Sequence, residues 1–135
     1  MIPLRLAAWR ESTLLSLSKA SEEEVASFLS KVQVGENGYT LAVSVDSLVE
    51  SLSLPRLDWI KIDIEGAEVE ALKGAMKTLR RYKPTLWIEF HDTLEELKKV
   101  LAEADYEIRG EVHHAPTPHY QEVGYLWAVA KDSAP

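Results

Sequence analysis

Hydrophobic and polar positions alternate most clearly over Trp59–Ile64. Ile60, Ile62 and Ile64 share one side, while Trp59, Lys61 and Asp63 share the other. That period of two predicts a strand with one buried face. Tyr39–Val45 repeats the pattern, with Leu41, Val43 and Val45 alternating with Thr40, Ala42 and Ser44. Thr85–Phe90, Tyr106–Val112 and Val123–Ala130 read as further strands. Leu4–Ala8 and Thr13–Ser18 are short apolar stretches, either a strand and a following strand or one hairpin.

Between these runs the period changes to that of helices. Ser21 and Glu24 form a capping box ahead of Val25, Phe28, Leu29 and Val32, and Gly35–Gly38 ends that element in a turn. Asp46 is placed to cap a short helix through Leu52, before Pro55. Glu65-Gly66-Ala67-Glu68 turns into a helix whose stripe is Val69, Leu72, Met76 and Leu79, stopped by Pro84. Asp92 or Thr93 caps a last helix with the stripe Leu94, Leu97, Val100, Leu101 and Ala104.

From Tyr39 onward strands and helices alternate, so a mostly parallel α/β sheet is expected. The last two strands are joined by the polar loop His113–Gln121, which has no helical pattern. They should therefore pair antiparallel. In such sheets ligands bind beyond the carboxyl ends of the strands. Two of those ends concentrate chemistry: Asp63-Ile64-Glu65 and Glu89-Phe90-His91-Asp92.

Composition narrows the function classes. With 46% hydrophobic and 27% charged residues, the 135-residue chain suits one globular domain over residues 1–135. The absence of cysteine excludes disulfides, cysteine-ligated zinc and thiol nucleophiles. A net charge of −7 argues against a nucleic-acid partner. No apolar run approaches the ~20 residues of a membrane span. The first residues are too soon interrupted for a secretory signal, so a cytoplasmic protein is expected.

Asp58-Trp59-Ile60-Lys61-Ile62-Asp63-Ile64-Glu65-Gly66-Ala67-Glu68, then Leu72-Lys73-Gly74-Ala75, Pro84 and Trp87-Ile88-Glu89, resembles the FkbM family of methyltransferases. Val43-Ser44-Val45-Asp46-Ser47-Leu48 resembles that family's V-x-x-D-x-L segment. The resemblance implies a class I, Rossmann-like methyltransferase sheet of order 3-2-1-4-5-7-6 with an antiparallel final strand. Trp59–Ile64, Thr85–Phe90, Tyr106–Val112 and Val123–Ala130 would be its fourth to seventh strands. It also implies S-adenosylmethionine as donor and a hydroxyl on a small molecule or sugar as acceptor.

The family holds the donor on its first two strands and a Gly-rich loop, and neither is legible before Tyr39. Val34-Gly35-Glu36-Asn37-Gly38-Tyr39 follows a helix and lies too close to the fourth strand to be that loop. The expectation is the C-terminal part of a partial domain, a truncated methyltransferase, with no cofactor-binding residue assigned. The alternative is a non-catalytic remnant or oligomerising scaffold. An uncovered edge on Trp59–Ile64 would favour a dimer, or a rearranged N-terminal segment beside it.

Asp63, Glu65, Glu89 and His91 are the candidate catalytic residues. Their carboxylates could position or deprotonate an acceptor hydroxyl, and an imidazole beside acids could move a proton. Two acids and an imidazole could also bind a divalent cation, but no tight ligand spacing such as H-x-x-x-H accompanies them, and no metal ligands are assigned. Glu68 reads as a dipole-favourable acid in a first helical turn, and Lys61 as an ion-pair partner of Asp63 or Asp58. His113, His114 and His119 read as an exposed loop.

Overall fold

In the computed structural model the described residues are 3–16 and 39–132. The helix expected after Ser21 and the turn at Gly35–Gly38 lie outside them. Strands β1 (Ala7–Ala8), β2 (Thr13–Ser16) and β3 (Tyr39–Val43) make a three-stranded sheet of order β1-β3-β2. The hairpin reading of the first two strands is thereby corrected. β3 lies between them, parallel to β1 and antiparallel to β2. A central strand satisfies backbone groups on both of its edges, and Trp9 N extends the β1 ladder by donating to Val43 O at 3.0 Å.

Helix α1 (Val45–Ser51) starts two residues earlier than Asp46 would allow as a cap. Ser44 is the N-cap, and its hydroxyl accepts from Ser47 N. Asp46 instead reaches helix α3 (Met76–Tyr82), where its carboxylate accepts from Lys77 N at 3.1 Å and Thr78 N at 2.7 Å. Ala75, the residue preceding α3, has no side chain able to do this.

The single helix expected before Pro84 is two. α2 (Glu68–Lys73) and α3 are separated at Gly74-Ala75. A Cβ on Gly74 would stand 2.2 Å from the Trp9 carbonyl oxygen, and Gly74 O accepts from Asp46 N at 2.9 Å. The backbone at this point serves the small sheet and α1 instead of continuing a helical ladder. The apolar stripe persists across the break, since Leu72 and Leu79 are both fully buried.

The larger sheet has the order β4-β5-β7-β6, with β4 (Trp59–Ile62), β5 (Thr85–His91), β6 (Tyr106–His113) and β7 (Val123–Ala130). β4 and β5 are parallel, and β7 is antiparallel to both β5 and β6. The expected pairing of the last two strands is present. Three of the sheet's four strands run the same way and only the last, β7, is reversed, as expected of the final strand; because β7 sits between β5 and β6, two of the three ladders are antiparallel. The fold is α/β with mixed sheets.

One face carries the core. Leu86, Ile88 and Phe90 of β5 are completely buried against α2, α3 and α4 (Leu94–Glu103). Each such side chain contributes about 1.5–3 kcal/mol relative to exposure. All five positions of the α4 stripe are buried as expected. Neither expected cap is a side-chain cap: Thr93 holds the N-cap position without bonding an α4 amide, and Asp92 Oδ1 accepts from Glu122 N at 2.6 Å. The other face is aromatic and partly open, with Trp59 64% exposed and Trp87 stacked on Trp127 at 5.8 Å. Among the described residues, β4 pairs with β5 alone, and its other edge carries no strand.

Candidate functional site

Parallel pairing brings Ile62 level with Ile88, so the chain leaving β4 lies beside the end of β5. Asp63 follows directly. Glu65 and Gly66 then adopt left-handed backbone, with φ of 55° and 98°. That turn costs glycine little and a glutamate about 1 kcal/mol. It doubles the chain back so that Glu68 begins α2 beneath the strand ends.

Glu68 is fully buried and its carboxylate is well supplied with donors. Oε1 accepts from Gly66 N at 2.8 Å and from His91 Nδ1 at 3.0 Å, while Oε2 accepts from the Thr93 hydroxyl at 3.0 Å. With both carboxylate oxygens of Glu68 acting as acceptors, the 3.0 Å contact assigns the donor role to His91 Nδ1. Nε2 then faces outward, 3.5 Å from Glu65 Oε2 and 3.8 Å from Glu89 Oε1. The ring is 5% exposed and packs on Tyr120 with centroids 4.8 Å apart. The Tyr120 hydroxyl donates to Glu65 O at 3.3 Å, which ties the loop before β7 to the turn after β4.

Burial works against a charged His91. The Glu68 hydrogen bond and the charges of Glu68, Glu65 and Glu89 outweigh it and raise the pKa above the usual imidazole value. Asp63 is held below the usual carboxylate range by its 2.8 Å hydrogen bond from Lys61, against a smaller opposing effect of burial. Tyr125, opposite Glu89 in the β5–β7 register, is raised, first by its hydrogen bond to that carboxylate. Burial, followed by the Glu65 charge, lifts Tyr120 well above the phenol range.

All four residues singled out in the sequence therefore meet at one end of the larger sheet. Asp63, Glu89 and His91 each offer a ligand atom, all within 4.8 Å of one another. Glu65 reaches the same imidazole from the turn. Lys61 forms the expected ion pair with Asp63. His113 and His114 are exposed on the late strand and loop, stacked edgewise on Phe90 and Tyr125. Sequence reasoning missed Glu68 and Tyr120 as supports of His91. A helix-start acid two residues after a turn glycine was a signal for Glu68. Nothing in the sequence pairs Tyr120 with His91.

The methyltransferase FkbM domain model matches residues 7–122. Hexuronic acid methyltransferase AglP of Haloferax volcanii is 36% identical over 64 residues, which are 46% of this chain and 26% of that protein. The crystal structure of methyltransferase FkbM from Methylobacillus flagellatus superposes with a TM-score of 0.55 at 24% identity, over 90% of this chain and 27% of that one. The chain thus spans about a quarter of the length of either relative. No helix among the described residues is long and apolar enough to cross a membrane. The strand-end acids and the turn between them lie inside the matched segment, and the chain belongs to the methyltransferase FkbM domain family.

Proposed function

We propose that this chain supplies the acceptor side of an S-adenosylmethionine-dependent O-methyltransferase acting on a small molecule or sugar. Its larger sheet would be the C-terminal part of a Rossmann-like sheet. The observation that carries this reading is the convergence of Asp63, Glu65, Glu89 and His91 at the carboxyl ends of two adjacent parallel strands. That is where ligands of such sheets bind. The curated relative is named for a hexuronic acid, which makes a sugar acid a reasonable first acceptor to test.

The methyl donor does not fit the described residues. Among them there is no Gly-rich loop between a strand and a helix, and no further strand beside β4. No step through the donor is therefore assigned to them. What these side chains can do is hold the acceptor. Asp63, kept ionised by Lys61, accepts a hydrogen bond from the acceptor hydroxyl and orients its oxygen. Glu89 Oε1, facing His91 Nε2, takes the hydroxyl proton. Glu65 shares the imidazole with Glu89 and keeps it turned toward the site.

We further place a partner on the β4 edge that carries no strand among the described residues, either another segment or a second copy of the chain, because an uncovered strand edge favours strand addition. The acidic charge of −7 supports a chain without a nucleic-acid partner. The test is transfer of labelled methyl from S-adenosylmethionine to a panel of hexuronic acids, sugars and hydroxylated small molecules. It is run with the chain alone and with the chain joined to the N-terminal portion of a family member. Label on an acceptor oxygen in either arrangement, lost in Glu89→Gln, is expected. No label in both arrangements would contradict the reading.

A further inference from the structure

Three side chains able to ligate a cation, two carboxylates and an imidazole, face one another at the strand ends. Asp63 and Glu89 bring carboxylate oxygens within 4.8 Å of each other, and Lys61 is the cation paired with Asp63. His91 is buried, and its Nδ1 is committed to Glu68. Its Nε2 faces Glu65 and Glu89 at 3.5 Å and 3.8 Å, both beyond an ordinary hydrogen bond. A buried ring nitrogen is thus aimed at carboxylates without closing on any of them.

We propose that His91 Nε2, Glu89 and Asp63 form a binding site for a divalent first-row cation. The three ligand atoms already lie within 4.8 Å of one another. Metal–ligand bonds of about 2.1 Å require ligand separations of roughly 3–4 Å, so closure needs only small rotations of the two acids. Asp63 is exposed and Glu89 half-buried, so both have room to rotate.

The buried carboxylate behind the ring strengthens the case. Ligating histidines almost always donate their second ring N–H to a carboxylate, a carbonyl or water, which fixes the tautomer and aims the lone pair at the ion. Glu68 does this for His91, and it is itself held by Gly66 N and the Thr93 hydroxyl. One imidazole with two carboxylates suits Mn²⁺ or Zn²⁺ better than a soft ion. Three protein ligands leave coordination positions open to oxygen. The site would accept a chelating oxygen ligand, such as a hydroxyl beside a carboxylate on a sugar acid.

Cation binding here needs no methyl donor, so a failure of methyl transfer and a failure of this site can be told apart. The experiment is titration of the chain with Mn²⁺, followed by the loss of the free-ion electron paramagnetic resonance signal. Wild-type chain should bind one Mn²⁺ per molecule, displaced by Zn²⁺. Asp63→Asn and Glu89→Gln should each weaken binding by about tenfold or more. Glu95→Gln removes the same charge from an exposed position on α4 and should leave binding unchanged. Circular dichroism of each variant confirms that it is folded. No Mn²⁺ binding by the wild type at millimolar ion would overturn the proposal. So would equal affinity in wild type, Asp63→Asn and Glu89→Gln, or a loss in Glu95→Gln as large as theirs.

Discussion

His91 has two sides, and they differ in what they can do. Behind Nδ1 lies a closed group of Glu68, Gly66 N and Thr93, in which each oxygen of a fully buried carboxylate has a donor. In front of Nε2 lie Glu65, Glu89 and Asp63, which are partly exposed and meet the ring only at longer range. A saturated buried network resists change because each lost partner strands a polar group away from water. An exposed, unsaturated one costs little to keep and remains available to a ligand. The contrast teaches that stability and chemistry divide across a single imidazole ring.

Mutations on the two sides should therefore separate in their effect. The largest loss of stability is expected for Glu68→Ala, which leaves Gly66 N, His91 Nδ1 and the Thr93 hydroxyl without their acceptor. About 3 kcal/mol should be lost in urea unfolding, and a loss under about 1 kcal/mol would erase the proposed division. Thr93→Val removes one donor to the same carboxylate and should cost about 1–2 kcal/mol by the same measurement. On the front side, Glu89→Gln should change stability by no more than about 0.5 kcal/mol. It should nevertheless lower methyl transfer by roughly a hundredfold or more if Glu89 takes the acceptor proton. The smallest effect is expected for Lys61→Gln, since an exposed ion pair contributes about 0–1 kcal/mol. A thermal melt close to that of the wild type is the outcome to look for.

The front side was readable in the sequence because strand period and parallel pairing are local and regular. Asp63 and Glu89 share the face opposite the isoleucines and leucines of their strands, and each sits where its strand ends. The α4 stripe and the antiparallel last pair were readable for the same reason. The back side depends on contacts between residues far apart in the chain. Glu68 has the position of an ordinary first-turn acid, and only the left-handed turn at Glu65-Gly66 brings its carboxylate to His91. Gly74 continues a good helical stripe, yet the Trp9 backbone just after β1 comes so close that no side chain fits there, and the helix divides at this point. Asp46 has the chemistry of a cap, but the helix it caps begins thirty residues later, and Ser44 takes the local role. In each case the residue type announced a polar contact while its partner was set by tertiary packing.

The central claim is that Glu68 fixes His91 with a proton on Nδ1, leaving Nε2 toward the acids. A long-range ¹⁵N–¹H correlation spectrum of the His91 imidazole tests this most directly. A protonated Nδ1 in the wild-type chain is the predicted result. An Nδ1 without a proton, with Nε2 carrying the only one, would contradict it.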